Sequence, residues 1–351
     1  MEQRLAEPLR RPAIDLAARE FPEDGLPVEQ LAFLLRHAVK APSSHNSQPW
    51  LFTVGGDSVE LHADRTRALP VTDHDDRELV ISCGAALFSL RAAIRHYGYA
   101  ERVDVFPDDG DPDLLARVEL GPPRPPTQAE KHLFWAIAKR RTNRHPFELR
   151  PVPSELLAEL VRAARGEGAW LRVVEDGTRG ELADLVAEAD RRQFADPRFR
   201  RELASWIHGR RSLAGDGMPA HELELPIPVP PLRPLVVRTF DLGKGVAAHD
   251  RKIADGSPVL AVLGTDADTP HDWLAAGQAL DAVLLRAAQD EVSASFLNQP
   301  VEVEGLRAAV SAIVGGGVPQ LVLRLGYGPL TQPTPRRPLS EVVTLEEGET
   351  N

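Results

Sequence analysis

The chain has 351 residues, a formal net charge of −11 at pH 7 and a 26% share of charged residues. That acidic balance argues against a nucleic-acid partner or an anionic membrane surface, since both require a basic face. Cys83 is the single cysteine, which excludes a disulfide framework and fits a reducing, cytoplasmic setting.

Residues 1–26 are charged and punctuated by proline, and read as an N-terminal arm without the apolar core of a signal peptide. No apolar run of about 18 residues follows, so no membrane span is expected. Pro27 opens a helix whose Leu31, Leu34, Leu35 and Ala38 form one buried stripe. Pro42 stops it. The stretch Ala41-Pro42-Ser43-Ser44-His45-Asn46-Ser47-Gln48-Pro49-Trp50 is a loop dense in hydroxyls and amides. Each of its two prolines bars helix at the residue before it, which makes a rigid frame of the kind that carries binding groups. A strand follows from Trp50 to Val54, then a hairpin turn at Gly55-Gly56-Asp57. Val59, Leu61 and Ala63 alternate in the return strand. Residues 78–96 form a helix apolar around most of its circumference, hence central, and Cys83 within it reads as a buried structural thiol. A strand at 116–120 leads into Gly121-Pro122-Pro123-Arg124-Pro125-Pro126, a stiff linker.

Beyond it come a helix at 130–141 running into Lys139-Arg140-Arg141-Thr142-Asn143-Arg144, a helix at 153–165, a strand at 170–175 and a helix at 179–192. Six prolines from Pro219 to Pro234 predict an irregular insertion at 209–245, long enough to be a lid. A strand at 258–263, helices at 271–289 and 304–314, and a strand at 320–327 close the series. Histidines are scattered without metal-binding spacing, so no metal site is expected.

The halves repeat one another. Pro27-Val28-Glu29-Gln30-Leu31 aligns with Pro153-Ser154-Glu155-Leu156-Leu157, and Phe21 falls in the same frame as Phe147. Trp50-Leu51 matches Trp170-Leu171 across a six-residue gap that removes the polar loop. Gly84-Ala85-Ala86-Leu87 faces Gly277-Gln278-Ala279-Leu280. The order of matches is kept, as a duplicated unit requires. The differences are asymmetric: Arg140, Thr142 and Arg144 stand where the first half has Ile14, Leu16 and Ala18. If the halves pack about a pseudo-twofold, one of two composite sites joins the cations to the hydroxyl and amide loop. That combination suits a phosphate-bearing cofactor.

Residues 41–50, Arg140–Arg144 and Thr334-Pro335-Arg336-Arg337-Pro338 together resemble the nitroreductase superfamily of FMN proteins. The double length and Ser295-Phe296-Leu297-Asn298-Gln299-Pro300 resemble its Acg-type branch, in which one chain mimics the family homodimer. The resemblance implies an α+β nitroreductase-like fold of two half-domains, residues 27–121 and 130–351, with 122–129 between them and one FMN per chain. It implies that Arg140, Thr142 and Arg336 hold the phosphate, and that Arg144 lies near the flavin N1/O2 edge. Pro42, Ser43, Ser44 and Asn46 would contact ring and ribityl chain, and Asn298 and Gln299 would bring backbone amides near N5. The family's second C-terminal cation falls at Thr334, which leaves Arg337 as its substitute. Hydride transfer would run through flavin N5 with no side chain as catalyst. The implied activity is NAD(P)H-dependent reduction of nitroaromatics, quinones or similar small molecules by a monomeric pseudo-dimer or weak homodimer. The alternative is an FMN store closed by the lid.

Overall fold

A computed structural model describes residues 20–209, 214–220 and 232–346. In the first half α1 (Pro27–Ala38) precedes the hairpin β1 (Trp50–Gly55) and β2 (Ser58–Ala63). The long α2 (Arg77–His96), β3 (Tyr99–Val105) and β4 (Leu114–Pro123) follow. After α3 (Gln128–Lys139) the second half begins with α4 (Ser154–Gly166) and β5 (Trp170–Val173). An insertion then holds α5 (Asp176–Ala195), α6 (Pro197–Ser205), two-residue strands β6 (Ile207–His208) and β7 (Met218–Pro219), α7 (Arg233–Thr239) and α8 (Gly243–Asp255). The half resumes with β8 (Val259–Thr265), α9 (Pro270–Gln289) and β9 (Ser293–Phe296). It ends with α10 (Gln299–Glu302), α11 (Arg307–Ile313), β10 (Val318–Gly326), α12 (Leu339–Val342) and β11 (Val343–Leu345).

The α+β duplication is visible in the sheets. The first runs β11-β1-β2-β4-β3 and the second β5-β8-β10-β9. Strip off β11 and the two orders are the same path, with β5 in place of β1, β8 of β2, β9 of β3 and β10 of β4. The turn Gly55–Asp57 in one half is replaced by the α5–α8 insertion in the other. Each sheet is antiparallel within itself apart from β11, which pairs parallel with β1, Phe52 beside Val343. The C-terminal strand therefore returns to the first half.

Two long helices, α2 and α9, form the seam. A Cβ on Gly84 would lie 2.3 Å from the Leu274 carbonyl oxygen, and one on Gly277 would lie 2.0 Å from that of Ile81. Each contact is the mirror of the other: the glycine of one helix meets the carbonyl three residues before the glycine of the other. This is the self-complementary geometry of a twofold interface, realised within one chain. The 20-residue α2 has the length and hydropathy to cross a bilayer, but its apolar span is 83% buried inside the protein, as the core helix of a globular fold. Cys83 is buried there, its Sγ 3.1 Å from the Pro49 carbonyl oxygen.

Elements expected from periodicity are present within a few residues. Several others were not expected. The insertion predicted to be irregular over 209–245 contains β7, α7 and the start of α8. Pro234 sits in the first turn of α7, where its missing N–H costs nothing. Residues 210–213 and 221–231 of that stretch lie outside the described residues, as do Ile14, Leu16 and Ala18. Strand β4 runs through Pro123, two residues into the expected linker, with Pro123 beside Tyr99. The helix expected at 304–314 is the shorter α11, preceded by α10. Strands β3, β9 and β11 carry too little apolar pattern to be read alone, whereas helices α6 and α8 each bury one face, with Phe199 and Ala204 in the first and Val246, Ala247, Ile253 and Ala254 in the second, and were not expected.

Candidate functional site

The loop after α1 is held in an unusual backbone. His45, Asn46 and Gln48 all have positive φ, at 53°, 55° and 53°. A non-glycine residue in that region costs free energy and persists where the surroundings over-determine it. Here they do. Gln48 N–H donates to Ser43 Oγ at 3.0 Å, and its amide Nε2 donates to the Gly215 carbonyl at 2.8 Å. Asn46 Nδ2 donates to the Gly217 and Pro335 carbonyls at 3.0 and 3.2 Å, while Arg336 Nη1 donates to Asn46 Oδ1 at 3.0 Å. Loop, insertion and C-terminal tail are thus tied at one point.

The cations come from three directions. Arg140 caps α3, is buried, and donates from Nη2 to the Lys40 carbonyl at 3.0 Å. Arg336 Nη2 donates to the carbonyls of Lys40 and Ala41 at 3.1 and 3.0 Å. Residues 142–147 are pinned along β9 by the Thr142–Ala294 bridge and by Arg324, which donates to the carbonyls of Asn143 and His145, both at 3.0 Å. Lys40, Pro42, Ser43, Asn46, Arg140, Arg141, Thr142, Arg144, Thr334 and Arg336 line one cavity of about 300 Å³. Ser43, Thr142 and Arg144 also line a second cavity, of about 280 Å³, so the two form one cleft.

The ends of the cleft differ in charge. At the first end, burial and the neighbouring Arg140 and Arg141 push Arg336 down to about 9. Burial also lowers Arg140, countered by Asp281. Asp281, fully buried on α9 and bonded by Ser89 Oγ at 2.6 Å, is itself raised by burial to about 6. One carboxyl therefore serves several crowded cations, and Arg336 Nε is buried without a hydrogen-bond partner. An anion of more than one charge fits that donor set.

The second end holds Ser44, Glu78, Asn298, Gln299, Asp190, Asp250 and Glu302 beside the apolar Phe194, Phe199 and Met218. Ser44 Oγ donates to Glu78 Oε2 in a short bond. Asn298 Oδ1 accepts from Val322 N–H at 3.0 Å, and its Nδ2 lies 3.5 Å from Glu78 Oε1. Gln299 Nε2 bridges Asp190 and Asp250 at 3.2 and 2.9 Å. Burial, then Asp250, raises Asp190 to about 8, and burial with Glu78 raises Glu302 well above the usual carboxyl range.

All ten residues expected at the site line this cleft. Arg337, the expected substitute cation, turns away instead. Its guanidinium meets the Gln48 carbonyl at 3.2 Å and Asp64 at 3.4 Å, and so clamps the loop from behind. Lys40 and Arg141 supply the additional charge. Asp281 and the Glu78–Glu302 pair were not anticipated. A lone aspartate inside the apolar run 274–287 was the available signal for the first, and nothing local marks the second, which the fold assembles from α2 and α10. Among the described residues, no three His, Cys, Asp or Glu side chains are placed to hold a metal ion.

No family model matches the chain. It is 37% identical over 327 residues to a protein of Mycobacterium tuberculosis strain H37Rv provisionally named NAD(P)H nitroreductase Rv3131, with 91% of this chain and 92% of that one covered. To the NAD(P)H nitroreductase acg of the same organism, also named provisionally, it is 32% identical over 313 residues, covering 87% and 92%. Among solved structures, the FMN- and NADPH-dependent nitroreductase NfnB from Sphigopyxis sp. strain HMH is 19% identical, with 61% of this chain and 98% of that one covered and a TM-score of 0.39. The chain belongs to the nitroreductase family. Its similarity to the acg protein spans nearly the whole length of both.

Proposed function

We propose that the chain binds one FMN in this cleft and uses NAD(P)H to reduce nitroaromatics, quinones or similar acceptors. The observation that carries the reading is the convergence of Arg140, Arg141, Lys40 and Arg336, one buried N–H of which has no partner, on the cleft that also holds the polar loop. The names of the Mycobacterium relatives support the nicotinamide donor. Arg140, Thr142 and Arg336 would hold the phosphate, since guanidinium forks and a hydroxyl match its oxygens. Pro42, Ser43, Ser44 and Asn46 would line the ring and ribityl chain, with Arg144 favouring negative charge at the ring's pyrimidine edge. Asn298 and Gln299 would border the reactive edge. FMN held by these residues would supply two-electron chemistry between the nicotinamide and the acceptor. The protein's part is to orient, to exclude water with Met218, Phe194 and Phe199, and to keep proton-bearing carboxyls beside the cleft. The proposed state is a cytoplasmic monomer acting as a pseudo-dimer.

The second reading, an FMN store, is favoured by the bonds from Asn46 and Gln48 to Gly217 and Gly215, which close the insertion over the loop. The visible spectrum of the purified protein separates the two. Flavin absorbance that bleaches on adding NADPH supports the reductase, and flavin that stays oxidised supports the store. Colourless protein that cannot be loaded with FMN overturns both.

A further inference from the structure

The acidic end of the cleft is more than a boundary. Two hydrogen-bond acceptors in its floor are left without a donor. Asp190 is 1% exposed, and its Oδ2 has no partner. Gln299 spends both amide hydrogens on Asp190 and Asp250, and its Oε1 is likewise buried and unpartnered. Phe194, Phe199, Leu203, Met218 and Val246 line the same pocket. Two orphaned acceptors, four carboxyls in the lining and apolar side chains beside them suit one kind of guest: an apolar body carrying N–H donors and positive charge.

We propose that this end of the cleft is the pocket for an organic ammonium, its N–H groups facing Asp190 and Gln299 and its apolar body lying on Phe194, Phe199 and Met218. The proposal names the acceptor class for the reductase reading and rests on it for the redox step alone; the pocket itself does not require a flavin. A metal ion is the competing guest, but among the described residues no set of three ligands is placed for one.

The groups around the pocket set how such a guest binds. Asp250 and Arg191 face Asp190, with His249 beside Asp250 in the lining. Glu78, Arg77 and Gln193 face Glu302, and His45, Arg144 and Arg324 also line the pocket. Burial, reinforced by the neighbouring carboxyls, raises Asp190 and Glu302, so the floor holds protons near neutrality. Ammonium binding is then an exchange. The guest keeps its N–H charge, a carboxyl gives its proton to solvent, and the carboxylate formed pairs with the ammonium.

The test compares three probes that share one ring: para-nitrobenzylammonium, para-nitrobenzyl alcohol and para-nitrobenzoate. Each is titrated calorimetrically into the purified protein in two buffers of different ionisation enthalpy. The ammonium should bind about tenfold more tightly than the alcohol, with net proton release, and the benzoate most weakly. Asp190→Asn should reduce the ammonium's affinity to the alcohol's and leave the alcohol's unchanged. Should that variant not fold, phenethylammonium competing against the alcohol on the native protein decides instead. Equal affinity for all three probes, or tightest binding of the benzoate, overturns the proposal, as does an ammonium that fails to compete. Flavin content is measured on the same preparation. Flavin-free protein that prefers the ammonium upholds the pocket and counts against the FMN reading, whereas flavin-bearing protein indifferent to charge does the reverse.

Discussion

Replacing Gly277 by alanine puts a methyl group where α2 and α9 touch. Two effects oppose each other. Alanine in a helix interior is favoured over glycine by about 1 kcal/mol. Against this, the new Cβ would stand 2.0 Å from the Ile81 carbonyl oxygen and 2.8 Å from Gly84 Cα, and both are backbone atoms that no rotamer change can move. The helices must part, loosening a seam along two 20-residue helices that links the two main hydrophobic clusters. Overpacking costs roughly 1–3 kcal/mol, and backbone on both sides points to the upper end, so the net loss should be about 2 kcal/mol. Urea unfolding followed by circular dichroism measures it. Gly180→Ala is the control: that glycine lies within α5 with open space around it and should gain up to about 1 kcal/mol. A Gly277→Ala protein as stable as the native one would refute the seam.

Arg140→Ala should weaken FMN retention about ten- to hundredfold, the worth of a charge-assisted contact, while Arg102→Ala on the surface should not; equal retention would count against the cleft. Flavin released by denaturation should approach one per chain, and a ratio near two would remove the asymmetry between the halves. Burial, aided by Lys40, Arg36 and His96, pushes His37 down to about 3 from 6.5. The folded state therefore resists protonation there, and stability should fall as pH drops from 6.5 toward 3. His37→Gln should show a shallower decline in Tm across that window. Replacing Gly217–Pro234 with a short Gly/Ser linker should speed flavin release or acceptor reduction; a folded variant with neither change would show that the insertion is no lid.

The periodic elements were legible because their patterns are long. The stripe of α1, the apolar girth of α2 and the alternation of β2 each repeat a local rule several times. The duplication was legible as well, through Trp50 and Trp170 and the two glycines, and the shared strand order makes it concrete. What escaped depends on partners. Strand β11 is three residues long and exists because β1 offers it an edge. Strand β9 is four residues, stabilised mainly by β10. Within the site, the loop and the cations stood out as clusters, whereas Glu78 and Glu302 lie far apart in the chain and meet only in the fold. Arg337 misled because adjacency to Arg336 says nothing of direction: its side chain is drawn to Asp64 and the Gln48 carbonyl instead.

Four residues beyond each seam glycine, the two helices no longer match. Gly84 is followed at that spacing by Phe88 and Gly277 by Asp281. In an assembly of two identical chains any residue beside the axis occurs twice, so a buried carboxylate suited to one arginine cluster would appear again with no cation to meet it. Joining the halves in one polypeptide lifts that restriction. Phe88 can pack as core while its counterpart, Asp281, steadies Arg140 and Arg336. The length of the chain is thus a licence for asymmetry: each side of the seam can change without imposing its change on the other, and a single specialised cleft needs that freedom.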